Sequence, residues 1–152
     1  MSNAAKILVV DDDYFMQEIF AEALGDSYQV IPVESGEVAI ATAQSELPDL
    51  IILDVKLPGM DGYATCNALK TTDATANIPV IFVSSQDQVE YRLHGYEVGG
   101  DDYITKPFSP QELDAKVAHL LKMVSERTSL KQQADYATST AMTAMSSMGE
   151  MG

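Results

Sequence analysis

Leu50-Ile51-Ile52-Leu53 runs straight into Asp54, and the chain then passes through Val55-Lys56-Leu57-Pro58-Gly59-Met60 to Asp61-Gly62 and a helical pattern over 62–71. Four consecutive apolar residues bounded by turn formers read as a strand covered on both faces, because a strand with one wet face alternates instead. Asp61-Gly62 reads as a turn with a helix cap rather than as a ligand. Strand, turn and helix thus follow one another within about twenty residues, the opening of a crossover unit.

Outward from this segment the same unit repeats. Lys6–Val10, Gln29–Val33, Val80–Val83 and Tyr103–Thr105 read as further strands, and helical patterns lie near 14–24, 36–46, 86–98 and 110–124. Ile7-Leu8-Val9-Val10 and Val80-Ile81-Phe82-Val83 are as uniformly apolar as Leu50–Leu53, which places these three at the centre of the sheet. Strand-helix alternation implies right-handed crossovers and a parallel α/β sheet with helices on both faces. Ser109-Pro110-Gln111-Glu112 forms a capping box with a first-turn proline, so the last helix starts there. Gly25, Pro48 and Pro79 fall between elements, and Gly99-Gly100 can end the fourth helix in the left-handed conformation.

Composition narrows the function. The chain has 152 residues, 46% of them hydrophobic, enough for one core. The lone Cys66, in a helical pattern, excludes an internal disulfide framework and reads as a small buried residue of a reducing compartment. No run of 18 apolar residues and no secretory leader pattern occur, so a cytoplasmic protein without a membrane span is expected. The formal net charge is −14, while residues 121–152 balance Glu126, Asp135 and Glu150 against Lys122, Arg127 and Lys131. All of the excess therefore belongs to the first 120 residues, a surface that argues against direct nucleic-acid binding.

Ser2-Asn3-Ala4 resembles the remnant of a cleaved affinity tag and is set aside. Beyond about residue 125 the composition turns to Ala, Thr, Ser and Met, so a domain over 5–124 with a helical extension or linker over 125–152 is expected. Leu130, Ala134, Ala137, Ala141, Ala144, Met148 and Met151 follow heptad spacing, a weak seam through which two copies could pair. The end at Gly149–Gly152 reads as a cut, with an effector expected beyond it.

In an open parallel sheet, ligands sit beyond the carboxyl ends of the strands. There the sequence places Asp11-Asp12-Asp13 after the first strand, Asp54 after the third, Ser84-Ser85 after the fourth and Lys106-Pro107 after the fifth. Carboxylates from neighbouring strands repel unless a cation lies among them, and hard oxygen donors suit Mg²⁺ or Mn²⁺. Such an ion would hold a phosphate while Lys106 and the Ser84 hydroxyl took its other oxygens, leaving one carboxylate as nucleophile. The plainer alternatives are a solvated strand-end aspartate at Asp54, a helix cap at Asp13, an exposed lysine at Lys106 and a strand aromatic at Tyr103. His94 and His119 lack partners at metal spacing and read as surface or packing residues.

Val9-Val10-Asp11-Asp12, the run from Leu53 to Gly62, Val83-Ser84-Ser85 and Asp101-Asp102-Tyr103-Ile104-Thr105-Lys106-Pro107-Phe108, in this order, resemble the response regulator receiver family of two-component signalling over about residues 5–124. The resemblance implies a flavodoxin-like, doubly wound five-stranded sheet of order 2-1-3-4-5. It implies Asp54 as phosphoacceptor, with Asp54, Asp12 and the Lys56 main-chain carbonyl on Mg²⁺ and Asp11 assisting through water. Ser84 and Lys106 would contact phosphoryl oxygens, and Tyr103 would change rotamer as Ser84 moves. The implied partners are a sensor histidine kinase or phosphotransfer protein, and a second copy through the face formed by 86–98, Tyr103–Thr105 and 110–124. Such a protein is a switch with self-catalysed phosphotransfer and dephosphorylation rather than an enzyme. Two other readings compete: a degenerate receiver that only binds, and a haloacid-dehalogenase-type phosphatase. The latter is disfavoured by Phe15 at the threonine of its Asp-x-Asp-x-Thr pattern and by a length too short for a substrate-selecting cap.

Overall fold

The computed structural model describes residues 4–86 and 88–126. The heptad positions from Leu130 to Met151, and with them the extension proposed for pairing, lie outside the described residues. The chain runs β1 (Lys6–Val10), α1 (Tyr14–Leu24), β2 (Gln29–Val33), α2 (Gly36–Glu46), β3 (Leu50–Asp54), α3 (Gly62–Lys70), β4 (Val80–Ser84), α4 (Val89–Glu97) and β5 (Asp102–Thr105). A fifth helix, α5, covers 110–126.

The strands form one sheet of order β2-β1-β3-β4-β5, every pair parallel. The expected flavodoxin-like order is therefore the one observed. The three continuous apolar runs are the central strands: every residue of β3 and β4 is buried, and so are Ile7–Val10 of β1. The edge strands β2 and β5 carry half-buried and exposed positions. Pro32 lies in β2, where the missing N–H of a proline is tolerated because an edge strand has a free side.

Because side chains alternate across a strand, each central strand supplies both cores. Leu8, Val10, Ile51, Leu53 and Phe82 pack with Ala39 and Ala43 of α2 and with Cys66 and Leu69 of α3. Ile7, Val9, Leu50, Ile52 and Ile81 are the alternate set, buried like Phe20 and Leu24 of α1 and Leu113 and Val117 of α5. Phe20 also stacks on Phe108 with ring centroids 5.4 Å apart.

Caps set the helix starts. Asp13, Ser35 and Asp61 accept hydrogen bonds from the N–H groups of Phe15, Val38 and Ala64, and Ser109 from that of Glu112. Gly99 ends the α4 segment at φ 103°, the left-handed conformation expected of it. One boundary differs: the pattern from 86 predicts a helix that starts at Val89 instead. The reason is tertiary, since the Gln86 N–H donates to Ser84 Oγ and its carbonyl accepts from the Tyr103 hydroxyl, which holds that residue out of the helix.

Candidate functional site

The carboxyl ends of β1, β3, β4 and β5 meet at one edge, around the place where strand order reverses between β1 and β3. Each backbone turn there is tied to its neighbour. Asp11 N–H donates to the Val33 carbonyl at 3.1 Å, Val55 N–H to that of Val83 at 3.1 Å, and Lys106 N–H to that of Ser84 at 2.7 Å. The Gly62 N–H returns to the Val55 carbonyl at 2.8 Å, closing the loop after Asp54.

Asp11, Asp12 and Asp54 offer carboxylate oxygens that all lie within 4.8 Å of one another. Asp11 and Asp54 are 1% and 6% exposed, whereas Asp12 faces solvent. Lys106 Nζ lies 3.5 Å from Asp11 Oδ2 and 3.6 Å from Asp54 Oδ1. The Lys56 N–H donates to Asp54 Oδ1 at 3.4 Å, and the Asp13 N–H to Asp11 Oδ1 at 2.9 Å.

One ammonium does not balance three carboxylates. Burial, and then the charge of Asp11, push the Asp54 carboxyl up to about 6, against the pull of Lys106 and the Lys56 N–H. Burial also raises Asp11, although the Asp13 N–H and Lys106 draw it back. A divalent cation would remove this repulsion, and three oxygen donors with water completing the shell are the donor set Mg²⁺ favours.

The structure brings Asp11, Asp12, Asp54 and Lys106 together. The Ser84 hydroxyl is buried at the end of the adjoining strand, and its oxygen accepts from the Gln86 N–H at 3.0 Å. Tyr103 is buried beside this turn, with its hydroxyl 2.8 Å from the Gln86 carbonyl. Asp13 and Asp61 are helix caps, as expected. His94 is a packing residue, its ring edge-on to Tyr63 at 4.4 Å.

Two residues were not legible in advance. Gln17 Nε2 donates to the carbonyls of Asp11 at 2.7 Å and Val33 at 3.2 Å, anchoring α1 to the acidic loop. Its place one helical turn after the Asp13 cap was the available signal. Tyr63 reaches α4, and nothing in the sequence around it points there.

Beside the acids an apolar recess of about 400 Å³ is lined by Met16, Ile19, Ser85, Lys106, Pro107 and Phe108. Tyr14 and Phe15, on the first turn of α1, are 67% and 68% exposed.

Residues 7–118 match the response regulator receiver domain family model. The chain is 41% identical over 118 residues to the alkaline phosphatase synthesis transcriptional regulatory protein PhoP of Bacillus subtilis, covering 77% of this chain and 48% of that protein. It thus spans about half the length of the curated relatives it matches. Among solved structures, the receiver domain of a signal transduction histidine kinase from Syntrophus aciditrophicus superposes with TM-score 0.74 at 37% identity, covering 80% of this chain and 92% of that one. The receiver domain of a sensor histidine kinase from Pseudomonas aeruginosa, which has a magnesium ion coordinated in its active site cleft, superposes with TM-score 0.74 at 26% identity, covering 79% and 99%. With a parallel sheet of order β2-β1-β3-β4-β5, the acidic cluster at the switch point and a family match over most of its length, this chain belongs to the response regulator receiver domain family.

Proposed function

We propose that Asp54 is the phosphoacceptor of a Mg²⁺-dependent switch, charged by a phosphohistidine on a sensor histidine kinase or phosphotransfer protein. The observation that carries this reading is the placement of Asp54: a buried carboxylate at the end of a central strand, with Lys106 on one side and two further carboxylates within 4.8 Å. Asp12, Asp54 and the Lys56 main-chain carbonyl would hold the ion, with Asp11 behind them. The ion, when bound, neutralises charge on the transferring group.

The chain's own residues supply the remainder. An ionised Asp54 oxygen attacks phosphorus, the P–O bond forms as the P–N bond breaks, and the electron pair leaves with the imidazole nitrogen. Lys106 can shift from the carboxylates to a phosphoryl oxygen, and the Ser84 hydroxyl, released from the Gln86 N–H, can take another. Water later cleaves the acyl phosphate and restores the carboxylate. The exposed Tyr14 and Phe15 and the recess beside Lys106 support docking of the donor protein on this side. Val89, Leu93 and Tyr96, exposed on α4, support a second surface where partners, a further copy of the chain among them, exchange when Asp54 is charged.

Incubation with acetyl phosphate and Mg²⁺ tests the assignment by intact mass. The parent is expected to gain one phosphoryl group and Asp54→Asn none, because an amide cannot attack phosphorus. A parent that never gains mass would make this a domain that only binds, and labelling of the variant at the parental rate would move the acceptor elsewhere.

A further inference from the structure

Gln17 is bonded to both ends of the three-aspartate loop. Its own N–H donates to the Asp13 carbonyl at 3.0 Å, closing the first turn of α1. Its side-chain Nε2 turns back to donate to the Asp11 carbonyl at 2.7 Å and to the Val33 carbonyl, at the end of β2, at 3.2 Å. The Val33 carbonyl also takes the Asp11 N–H, so the amide bridges two neighbouring strand ends. Both of its partners are acceptors only. An amide NH₂ offers two protons to such a pair, a hydroxyl one and a carboxylate none.

Between the two ends of the loop lies Asp12. Its carboxylate is exposed, and among the described residues no hydrogen bond holds it. The other two acids are held: Asp11 takes the Asp13 N–H and Asp54 the Lys56 N–H, with Lys106 Nζ at 3.5 and 3.6 Å. The place of Asp12 is therefore decided by its backbone. The Asp11 carbonyl and the Asp12 N–H belong to one planar peptide unit, so a bond that fixes the carbonyl fixes the direction in which Asp12 leaves the strand. Gln17 is the donor to that carbonyl among the described residues, and Asp11 is 1% exposed, which shuts out water as a substitute. The second side-chain tie between α1 and the loop after β2, from the Tyr14 hydroxyl to Glu34, lies on the surface, where water competes.

We propose that Gln17 is a positioning residue of the ion site, its amide holding the Asp11–Asp12 peptide against the end of β2 and so setting the place from which the Asp12 carboxylate reaches the ion. This rests on the reading of Asp12 as an ion ligand. Mg²⁺ demands near-ideal octahedral geometry, so a ligand on a loose backbone binds it less well even with its oxygens intact. Groups that orient ligands in this way are worth about 10- to 100-fold in metal affinity. Gln17 acts on phosphotransfer only through the ion.

Gln17→Met keeps the length of the side chain and removes both donors. Titration calorimetry of the full chain with Mg²⁺, without phosphodonor, compares it with the parent and with Thr75→Val. That control removes a buried hydroxyl bonded to the Leu69 carbonyl at 2.7 Å, ahead of β4 and so at the opposite end of the sheet. The Kd is expected to rise about tenfold in Gln17→Met and to keep its parental value in Thr75→Val. The Mg²⁺ concentration that half-saturates labelling by acetyl phosphate is expected to rise by the same factor, with the saturated rate near the parent's. Gln17→Glu, which has the shape of glutamine and an oxygen in place of the donor, serves if the methionine variant does not fold. Its added negative charge alone would tighten Mg²⁺, so weaker binding reports the lost donor. An unchanged Kd in the Gln17 variant overturns the proposal and leaves the ion site standing. An equal loss in Thr75→Val also overturns it, by making the effect one of general stability. A parent that binds no Mg²⁺ overturns the ion reading itself and the role of Gln17 with it.

Discussion

As the proposed phosphoacceptor, Asp54 would have to work as an ion in a place that disfavours ions. Its carboxyl titrates near 6, against 3.8 for the ordinary side chain, so the fold prefers its neutral form. The sign of the linkage follows. Below pH 3.8 the carboxyl is protonated in folded and unfolded chains alike and contributes nothing. Between there and about 6 the folded state binds more protons, so stability falls as pH rises, and above 6 the full penalty applies. Asp54→Asn removes it. In chelator, urea unfolding is expected to show variant and parent equal near pH 4 and the variant more stable at pH 7.5, by up to about 3 kcal/mol at 1.36 kcal/mol per pH unit. A variant no more stable than the parent at pH 7.5 would mean that the carboxylate is not strained there.

The helix α3 is placed by a close approach that only a glycine permits. A Cβ at Gly62 would run into the Asp54 carbonyl oxygen and stand 2.8 Å from Val55 Cα, both of them backbone atoms that cannot rotate aside. Gly62→Ala therefore has to push the start of α3 away from the end of β3. The expected cost is about 1–3 kcal/mol, as for other overpacked positions. Since the displaced backbone carries Asp54, the rate of labelling by acetyl phosphate is expected to fall as well. Urea midpoints and labelling rates measured side by side check this, and an alanine variant matching the parent in both would show that the loop yields freely.

Charge acts on the molecule at two ranges. The net −14 weakens the compact state through general repulsion, which any salt screens. The three clustered aspartates add a local term, only partly offset by Lys106, that a divalent ion bound among them would relieve. Thermal unfolding is therefore expected to shift upward in MgCl₂ by more than in NaCl of equal ionic strength, the excess growing with Mg²⁺ concentration. Asp12→Ala removes the exposed member of the proposed ligand set without opening a cavity. It is expected to lose most of that excess while keeping the response to NaCl. Equal excess in both proteins would exclude Asp12 from the ion's coordination.

The order of elements and the acids at the strand ends were legible from residues 6–106 alone. Apolar runs and helical periods follow from backbone geometry, which each short segment carries within itself. The doubly covered strands could be told from the edges because burial on both faces leaves no polar position. What only the packed molecule decided are the relations across long separations. Lys106 meets Asp11 across 95 positions, Tyr63 reaches the Tyr91 carbonyl across 28, and Tyr103 takes the Gln86 carbonyl across 17. The last contact also moved the start of α4 from 86 to Val89, against a helical pattern that ran further. The titration of Asp54 belongs with these, since burial and a neighbour from another strand raise it. No local propensity encodes such contacts, because they exist only once several strands have brought their ends to one edge.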